Sequence, residues 1–287
     1  EEGKSCLVLS MKLADDVGSD LIAANDPDAD RLAIAERDLN TKQWKVFNGN
    51  EIGSLLGWWS LQYYKDKCPG ADLSNCYMLA STVSSKMLKT MSRVEGFNFE
   101  ETLTGFKWMG NRSVELMNEG KEVLFAFEEA IGFMFSPAVL DKDGVSASAH
   151  LATMASYLKL KEGISLSEKL DQLYKIYGYH YSITSYYLCY EPEKIVRIFE
   201  RIRNWEGTSA QYPPFILEGK YKISGIRDLT TGIDTSQPDG KSTLPTSKSS
   251  QMITFTLDND TIVTLRTSGT EPKIKYYAEY CAKPEER

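Results

Sequence analysis

Residues 20–31 read Asp-Leu-Ile-Ala-Ala-Asn-Asp-Pro-Asp-Ala-Asp-Arg. The short apolar run Leu21–Ala24 stops abruptly at Asn25-Asp26-Pro27, the pattern of a buried strand ending in a loop. Asp26, Asp28 and Asp30 follow at alternate positions, and a loop that curls around a cation brings such carboxylates together. Hard oxygen ligands suit Mg2+, which keeps water or phosphate in its remaining positions. In isolation the run is as readily a solvated acidic turn; the strand before it and the adjacent Arg31 favour the cation. A calcium EF-hand is excluded, because Arg31 and Arg37 stand where its loop needs Gly and Glu. An aspartate nucleophile at Asp26, in the manner of phosphatases with Asp-x-Asp after an apolar strand, stays open as a minor reading. Against it, Asp30 occupies the position where those enzymes carry a hydroxyl residue or valine.

Outward from this stretch, strands and helices alternate. Ile52, Leu55, Leu56, Trp59 and Tyr63 lie at helical spacing within 51–64. Cys76–Ala80 reads as a strand, Lys86–Val94 as a helix, Val123–Phe127 as a strand and Val145–Leu160 as a long helix. This order predicts an α/β unit with a largely parallel sheet, whose ligands gather at the carboxyl ends of its strands. A helix over Ser167–Tyr177 stops at Gly178. Beyond Tyr179 the texture changes to an α+β pattern. Tyr181–Tyr190 is rich in aromatic and β-branched residues, Glu193–Arg203 is helical, and Met252–Leu257 and Thr261–Leu265 flank an Asp-Asn-Asp turn as a hairpin. Ile274–Glu279 reads as a closing strand and the polar stretch Asp228–Ser250 as a long surface loop.

The 287 residues, 42% hydrophobic and 25% charged, are enough for two or three globular domains. A net charge of -7 argues against a nucleic-acid surface. Cys6, Cys68, Cys76, Cys189 and Cys281 form no Cys-x-x-Cys pair, so no disulfide framework or zinc motif is indicated, and a reducing cytoplasmic location is expected. No apolar run reaches the ~20 residues of a membrane span, and a monomer is expected. The chain starts Glu-Glu-Gly-Lys rather than with Met, which leads us to expect that it begins inside a longer protein.

Four further stretches can carry chemistry. In Arg266-Thr267-Ser268-Gly269-Thr270, Arg266 can fork onto two phosphate oxygens, with hydroxyls and backbone N–H groups beside it; a simple polar connection is the equal alternative. Glu128 and Glu129 follow the strand Val123–Phe127 and can accept hydrogen bonds from sugar hydroxyls, or mark a helix N-terminus. Lys107 lies between Phe106 and Trp108, a setting usually explained by packing. Lys142, within Asp141-Lys142-Asp143-Gly144, sits in an exposed turn or points into a cleft. His150 and His180 have apolar or aromatic neighbours and read as structural.

In this order the loops resemble the α-D-phosphohexomutase superfamily, in its phosphopentomutase/type-2 phosphoglucomutase branch with glucose-1,6-bisphosphate synthase as a near relative. The stretches that carry the resemblance are Asn25–Arg31, Phe47–Glu51, Ser81–Ser85, Glu101–Gly110, Phe125–Phe133, Asp141–Ser146 and 249–279. It implies α/β domains with mixed sheets and a C-terminal α+β phosphate-binding domain: residues 1–45 as the second half of domain 2, 46–178 as domain 3 and 179–287 as domain 4. It also implies a phosphoserine that passes its phosphoryl group to a phosphorylated sugar, glucose 1-phosphate or ribose or deoxyribose 1-phosphate, through a bisphosphate. Glucose 1,6-bisphosphate would then be primer and intermediate. By the resemblance Asp26, Asp28 and Asp30 bind Mg2+, Arg31 stands beside the transferring phosphoryl, and Glu128 binds the sugar. Arg266, Ser268, Gly269 and Thr270 clamp the other phosphate, and Lys142 or Lys107 is the general acid/base, with a charged cleft expected to lower the pKa of Lys142. Two departures stand out. Ala130 replaces a serine common in the sugar loop, which is compatible with a pentose, and no Ser-His dipeptide of the catalytic serine loop occurs in the chain. That serine is therefore expected upstream, and the chain alone is expected to be inactive. A bisphosphate synthase drawing on 1,3-bisphosphoglycerate, or a non-catalytic sugar-phosphate-binding module, are the alternatives. An unpaired sheet edge in residues 1–45 is expected to make that region less stable than the rest.

Overall fold

The computed structural model describes residues 4–135, 137–208, 211–248, 250–269 and 271–286. The chain divides into two compact units, residues 1–178 with 283–287 and residues 179–282.

In the first unit, helix α1 (Val8–Val17) ends at Gly18 in the left-handed conformation and leads into β1 (Leu21–Ala24). With β2 (Ala33–Arg37) and β3 (Trp44–Val46) it forms a three-stranded antiparallel sheet, order β1-β2-β3. Leu7, Met11 and Ala14 pack on Ile22 and Ala35 beneath it. The acidic loop is thus the connection between antiparallel β1 and β2. The parallel arrangement predicted for this region is not found, because β2 returns directly beside β1 and no helix intervenes.

A second sheet follows. Helix α2 (Gly49–Lys67) opens with a capping box, Asn48 accepting from Glu51 N–H and Glu51 from Asn48 N–H. Then come β4 (Cys76–Ser81), α3 (Met87–Glu95), β5 (Asn98–Thr102), α4 (Phe106–Asn118), β6 (Glu122–Glu128) and β7 (Gly132–Met134). The strand order is β5-β4-β6-β7, with β4 parallel to β5 and β6 and the β6–β7 hairpin antiparallel. The sheet is mixed because the chain turns straight back at Glu129 instead of crossing over through a helix. One face of the strands packs Leu79, Val123, Ala126 and Met134 against Phe106, Met109 and Leu116 of α4. On α2, the missing side chain of Gly53 admits the Phe127 ring, since a Cβ there would stand 2.4 Å from it. Helices α5 (Gly144–Tyr157) and α6 (Leu166–Tyr177) complete the unit, a π-helical segment Leu158–Glu162 running between them. Glu36 of β2 accepts from Leu166 N and Ser167 N at 2.7 and 2.9 Å, so the first sheet helps cap α6.

The second unit has one long sheet. It is built from β8 (Tyr179–Leu188), β9 (Phe215–Ile216), β10 (Tyr221–Asp228), β11 (Ile233–Asp234), β12 (Met252–Leu257), β13 (Ile262–Thr267) and β14 (Lys273–Ala282). The order is β11-β10-β12-β13-β14-β8, β9 pairing with β10, and all pairs are antiparallel. Helix α7 (Pro192–Arg203) lays Phe199 onto Ile253, Phe255 and Ile274. The segment from Asp228 onward is more than the surface loop that its polarity predicts. Asp228 is fully buried, where Arg203 Nε donates to it at 2.6 Å and Tyr212 Oη at 2.8 Å, and Leu229 and Asp234 are buried as well.

Burial alone would raise the Asp228 carboxyl, but the hydrogen bonds and charge of Arg203, with Tyr212, hold it below the usual carboxylate range. A carboxyl depressed by folding stabilises fully above its unfolded value of about 3.9, and that contribution is lost as pH falls through the folded value. Arg203→Met leaves this carboxylate buried and unpaired. Urea unfolding is expected to show a loss of about 3–5 kcal/mol at neutral pH, shrinking as pH falls, because burial without Arg203 raises the carboxyl and it takes up its proton. Equal stability of variant and wild type at neutral pH would contradict this account.

Candidate functional site

The loop between β1 and β2 closes on itself. Ala29 N donates to Asp26 O at 2.9 Å, Arg31 N to Asp26 Oδ1 at 3.0 Å and Asn25 Nδ2 to Arg31 O at 2.7 Å. Ala29 adopts φ 59°, a left-handed turn that folds Asp28 and Asp30 back toward Asp26. One carboxylate oxygen of each of Asp26, Asp28 and Asp30 then lies within 4.8 Å of the others. Arg31 Nε stands 3.8 Å from Asp26 and 3.7 Å from Asp30. Burial pushes the Asp26 carboxyl up, but the Arg31 backbone N–H, Asp28 and the Arg31 charge together bring it below its ordinary value. Asp30 Oδ1 is buried and has no hydrogen-bond partner. An orphaned carboxylate oxygen beside two further carboxylates is the donor set that a hard divalent cation satisfies, so these residues fit Mg2+.

This loop is docked on the β6–β7 turn. Arg31 and Gly132 form an antiparallel bridge, and Leu32 N donates to Ile131 O at 3.1 Å. From the other side Gly144 N donates to Ala29 O at 3.0 Å; a Cβ on Gly144 would stand 2.2 Å from Arg31 O, so no other residue permits that approach. Asp143 caps α5 by accepting from Val145 N and Ser146 N, which fixes the turn that carries Lys142. Lys142 Nζ reaches Asp30 Oδ2 at 2.8 Å and Asp141 Oδ1 at 3.9 Å.

The two glutamates at the end of β6 have separate tasks. Glu129 is engaged by the loop after β4: Ser81 Oγ and Ser84 Oγ each donate to it at 3.2 Å, and Glu129 N donates to Ser84 Oγ at 3.0 Å. Glu128 accepts from Gly105 N at the start of α4. Neither marks a helix N-terminus; they form the hairpin corner, with Ile131 at φ 54°. Lys142 and Glu128 thus flank the same turn. Lys107 is different, being exposed at the start of α4 with Nζ over the Trp108 ring at 5.3 Å. The expectation of a lowered Lys142 pKa fails: its hydrogen bond and charge contact with Asp30 raise it above the usual lysine value, burial opposing only in part. His150 is structural, stacked on Phe135 at 3.8 Å and lowered in pKa by burial.

In the second unit, Arg266 lies one residue before the end of β13, pairing with Met252 and Lys275. Ser268 N donates to Lys273 O at 3.0 Å, and Ser268 Oγ accepts from Glu271 N at 3.3 Å. Gly269 borders open space, and Thr270 lies outside the described residues. The loop is braced from behind, because Gln251 N donates to Thr267 Oγ1 at 3.1 Å while Arg203 Nη1 donates to Gln251 Oε1 at 2.7 Å. Sequence reasoning missed Asn25, Gly144 and the serines Ser81 and Ser84 as positioning groups. All four lie in stretches that carry the resemblance, but none of them was read as a positioning group.

Residues 48–177 match the family described as phosphoglucomutase/phosphomannomutase, alpha/beta/alpha domain III. The chain is 58% identical over 284 residues to a glucose 1,6-bisphosphate synthase of Mus musculus, covering 99% of this chain and 45% of that protein. To a phosphopentomutase of Homo sapiens it is 57% identical over 285 residues, covering 99% and 46%. The chain thus spans less than half the length of these relatives. Among solved structures, the open form of pp63/parafusin, a phosphoglucomutase of Paramecium, superposes with TM-score 0.61 at 20% identity, covering 96% of this chain and 43% of that one. An N-acetylphosphoglucosamine mutase of Aspergillus fumigatus, in complex with GlcNAc-6P and magnesium, superposes with TM-score 0.52 at 14% identity, covering 92% and 46%. The fold is that of the phosphohexomutase structures.

If the acidic loop holds a divalent cation, Mn2+ is expected to bind the isolated chain in competition with Mg2+. At 100 times its dissociation constant it should add about 2.7 kcal/mol of stability. Asp28 is exposed, so Asp28→Asn should remove this binding and leave metal-free stability within about 0.5 kcal/mol of wild type. Water-proton relaxation and thermal melts read the two effects separately; undiminished Mn2+ binding by the variant would rule out this ligand set.

Proposed function

We propose that this chain supplies the metal, sugar and outer-phosphate loops of a phosphosugar mutase acting on glucose 1-phosphate and on ribose or deoxyribose 1-phosphate. Residues 1–45 then correspond to the second half of the family's domain 2, 46–178 to domain 3 and 179–287 to domain 4. The observation that carries the reading is the assembly at one hairpin corner of Asp26, Asp28, Asp30 and Arg31, of Lys142 ion-paired to Asp30, and of Glu128. It is supported by relatives named phosphopentomutase and glucose 1,6-bisphosphate synthase.

In this reading Asp26, Asp28 and Asp30 hold Mg2+, which when bound neutralises charge on the phosphoryl group in transfer. Arg31 stands beside that group, and Glu128 orients the sugar by accepting from its hydroxyls. Arg266, Ser268, Gly269 and Thr270 grip the phosphate that stays in place, Arg266 with its planar fork. Lys142 is the acid/base group, favoured over Lys107 by its contact with Asp30. Because that contact holds the proton on Lys142, it rests as an acid and becomes a base only when Asp30 is engaged elsewhere. Glucose 1,6-bisphosphate serves as primer. The protein works as a cytoplasmic monomer; no described helix is long and apolar enough to cross a membrane.

The chain contains no Ser-His dipeptide of the serine loop, so alone it is expected to show no turnover. A fusion of the serine-bearing N-terminal half of a relative to this chain is expected to interconvert the sugar phosphates. Asp28→Ala should lower kcat at least about 100-fold, since a metal's charge stabilisation is worth several kcal/mol. Arg266→Ala should instead raise KM. Unchanged kinetics in both variants would refute the assignment, and steady net synthesis of bisphosphate from 1,3-bisphosphoglycerate would transfer it to the synthase.

A further inference from the structure

A second group of metal-ligating side chains lies in the second unit, apart from any residue used above. Strands β8 and β14 pair antiparallel with His180 opposite Cys281 and Ser182 opposite Glu279. Residues directly opposite, and residues two apart along a strand, project to the same face. His180, Glu279 and Cys281 therefore share one face, and one ligating atom from each lies within 4.8 Å of the others. His180 and Glu279 are each only 7% exposed.

The separations have a specific meaning. His180 Nδ1 stands 3.3 Å from Cys281 Sγ and 3.6 Å from Glu279 Oε1. Around a tetrahedral Zn2+, with bonds of about 2.1 Å to N and O and about 2.3 Å to S, neighbouring ligand atoms stand roughly 3.3–3.6 Å apart. A cation between the three atoms would contact all of them at these separations. Charge leads to the same conclusion. A bound dication would balance the charges of a Cys281 thiolate and the buried Glu279 carboxylate, with the imidazole uncharged. Thiolate and imidazole together select a borderline-soft metal over Mg2+ or Ca2+.

The geometry points to a Zn2+ site formed by His180, Glu279 and Cys281, with water in the fourth position. Binding releases the Cys281 thiol proton to solvent. The chain enters this unit at Tyr179 and leaves it at Ala282, so the ion ties together the two strands at its ends and stabilises the unit in proportion to its occupancy.

Co2+ reports a thiolate ligand directly, through a thiolate-to-metal charge-transfer band in the near ultraviolet. The test uses the full 287-residue chain with Cys6, Cys68 and Cys189 replaced by Ser, in excess Mg2+ to occupy the acidic loop. Co2+ is expected to produce the band with the intensity of a single thiolate, and Zn2+ to bleach it. Cys281→Ser should abolish the band. His180→Gln and Glu279→Gln should each weaken Zn2+ binding by more than the roughly 10- to 100-fold that loss of an outer-shell partner costs. Absence of the band in the Cys281-containing chain overturns the site whatever the variants do. So does a band that survives Cys281→Ser, or full Zn2+ affinity in folded His180→Gln and Glu279→Gln variants.

Discussion

Three carboxylates brought within 4.8 Å of one another repel, and everything at the candidate active site follows from how the fold bears that repulsion. Two like charges 4 Å apart cost about 4 kcal/mol at the effective dielectric of a protein surface. The acidic loop bears it with backbone rather than with side chains alone. Arg31 bridges Gly132, Leu32 bonds to Ile131 and Gly144 bonds to Ala29, so the loop is clamped between the β6–β7 turn and the start of α5. The first sheet and the mixed sheet are therefore parts of one construction: the first presents the carboxylates, and the second keeps them in place.

The same clamp holds two strained residues. Ala29 and Ile131 both hold positive φ, Ile131 against the preference of a β-branched side chain. Such residues cost on the order of 1–3 kcal/mol each and persist only where the surroundings over-determine them. Here they do. The turn containing Ile131 is held by Ser81 and Ser84 through Glu129, and by the N-terminus of α2, where a Cβ on Gly49 would stand 1.8 Å from Glu129 O. The two neighbouring glutamates of the corner have different partners, Glu129 the serines Ser81 and Ser84 and Glu128 the Gly105 N–H.

The parts of this arrangement that depend on short-range pattern were legible in the sequence. The strand before the acidic loop, the helix after Phe47 and the β12–β13 hairpin each follow from local periodicity and turn residues. What was not legible depends on pairing across long sequence separation. Nothing local in Ala33–Arg37 says that β2 returns antiparallel beside β1, and nothing in Phe125–Phe133 says that the chain turns back at Glu129 without a helix. The charge state of Lys142 was missed for the same reason, since its partner Asp30 lies far away along the chain. His180, read from its apolar neighbours as structural, meets Cys281 only through the β8–β14 register. Asp228 stands in a polar stretch, and only Arg203 of a distant helix explains its burial.

The electrostatics of the acidic corner resolve an apparent conflict between the chain and an anionic ligand. With a net charge of -7 the molecule as a whole repels phosphate. At the corner, Asp26, Asp28, Asp30, Asp141 and Glu128 stand about Arg31 and Lys142, an excess of three negative charges. A dication there would cancel two of them. Held by Asp30, it would compete with Lys142 for that carboxylate. On the proposed reading, a metal ion would make the corner less repulsive to phosphate. If the corner takes a phosphosugar as proposed, the charges of one loop and one lysine, rather than the net charge, decide whether phosphate is attracted there.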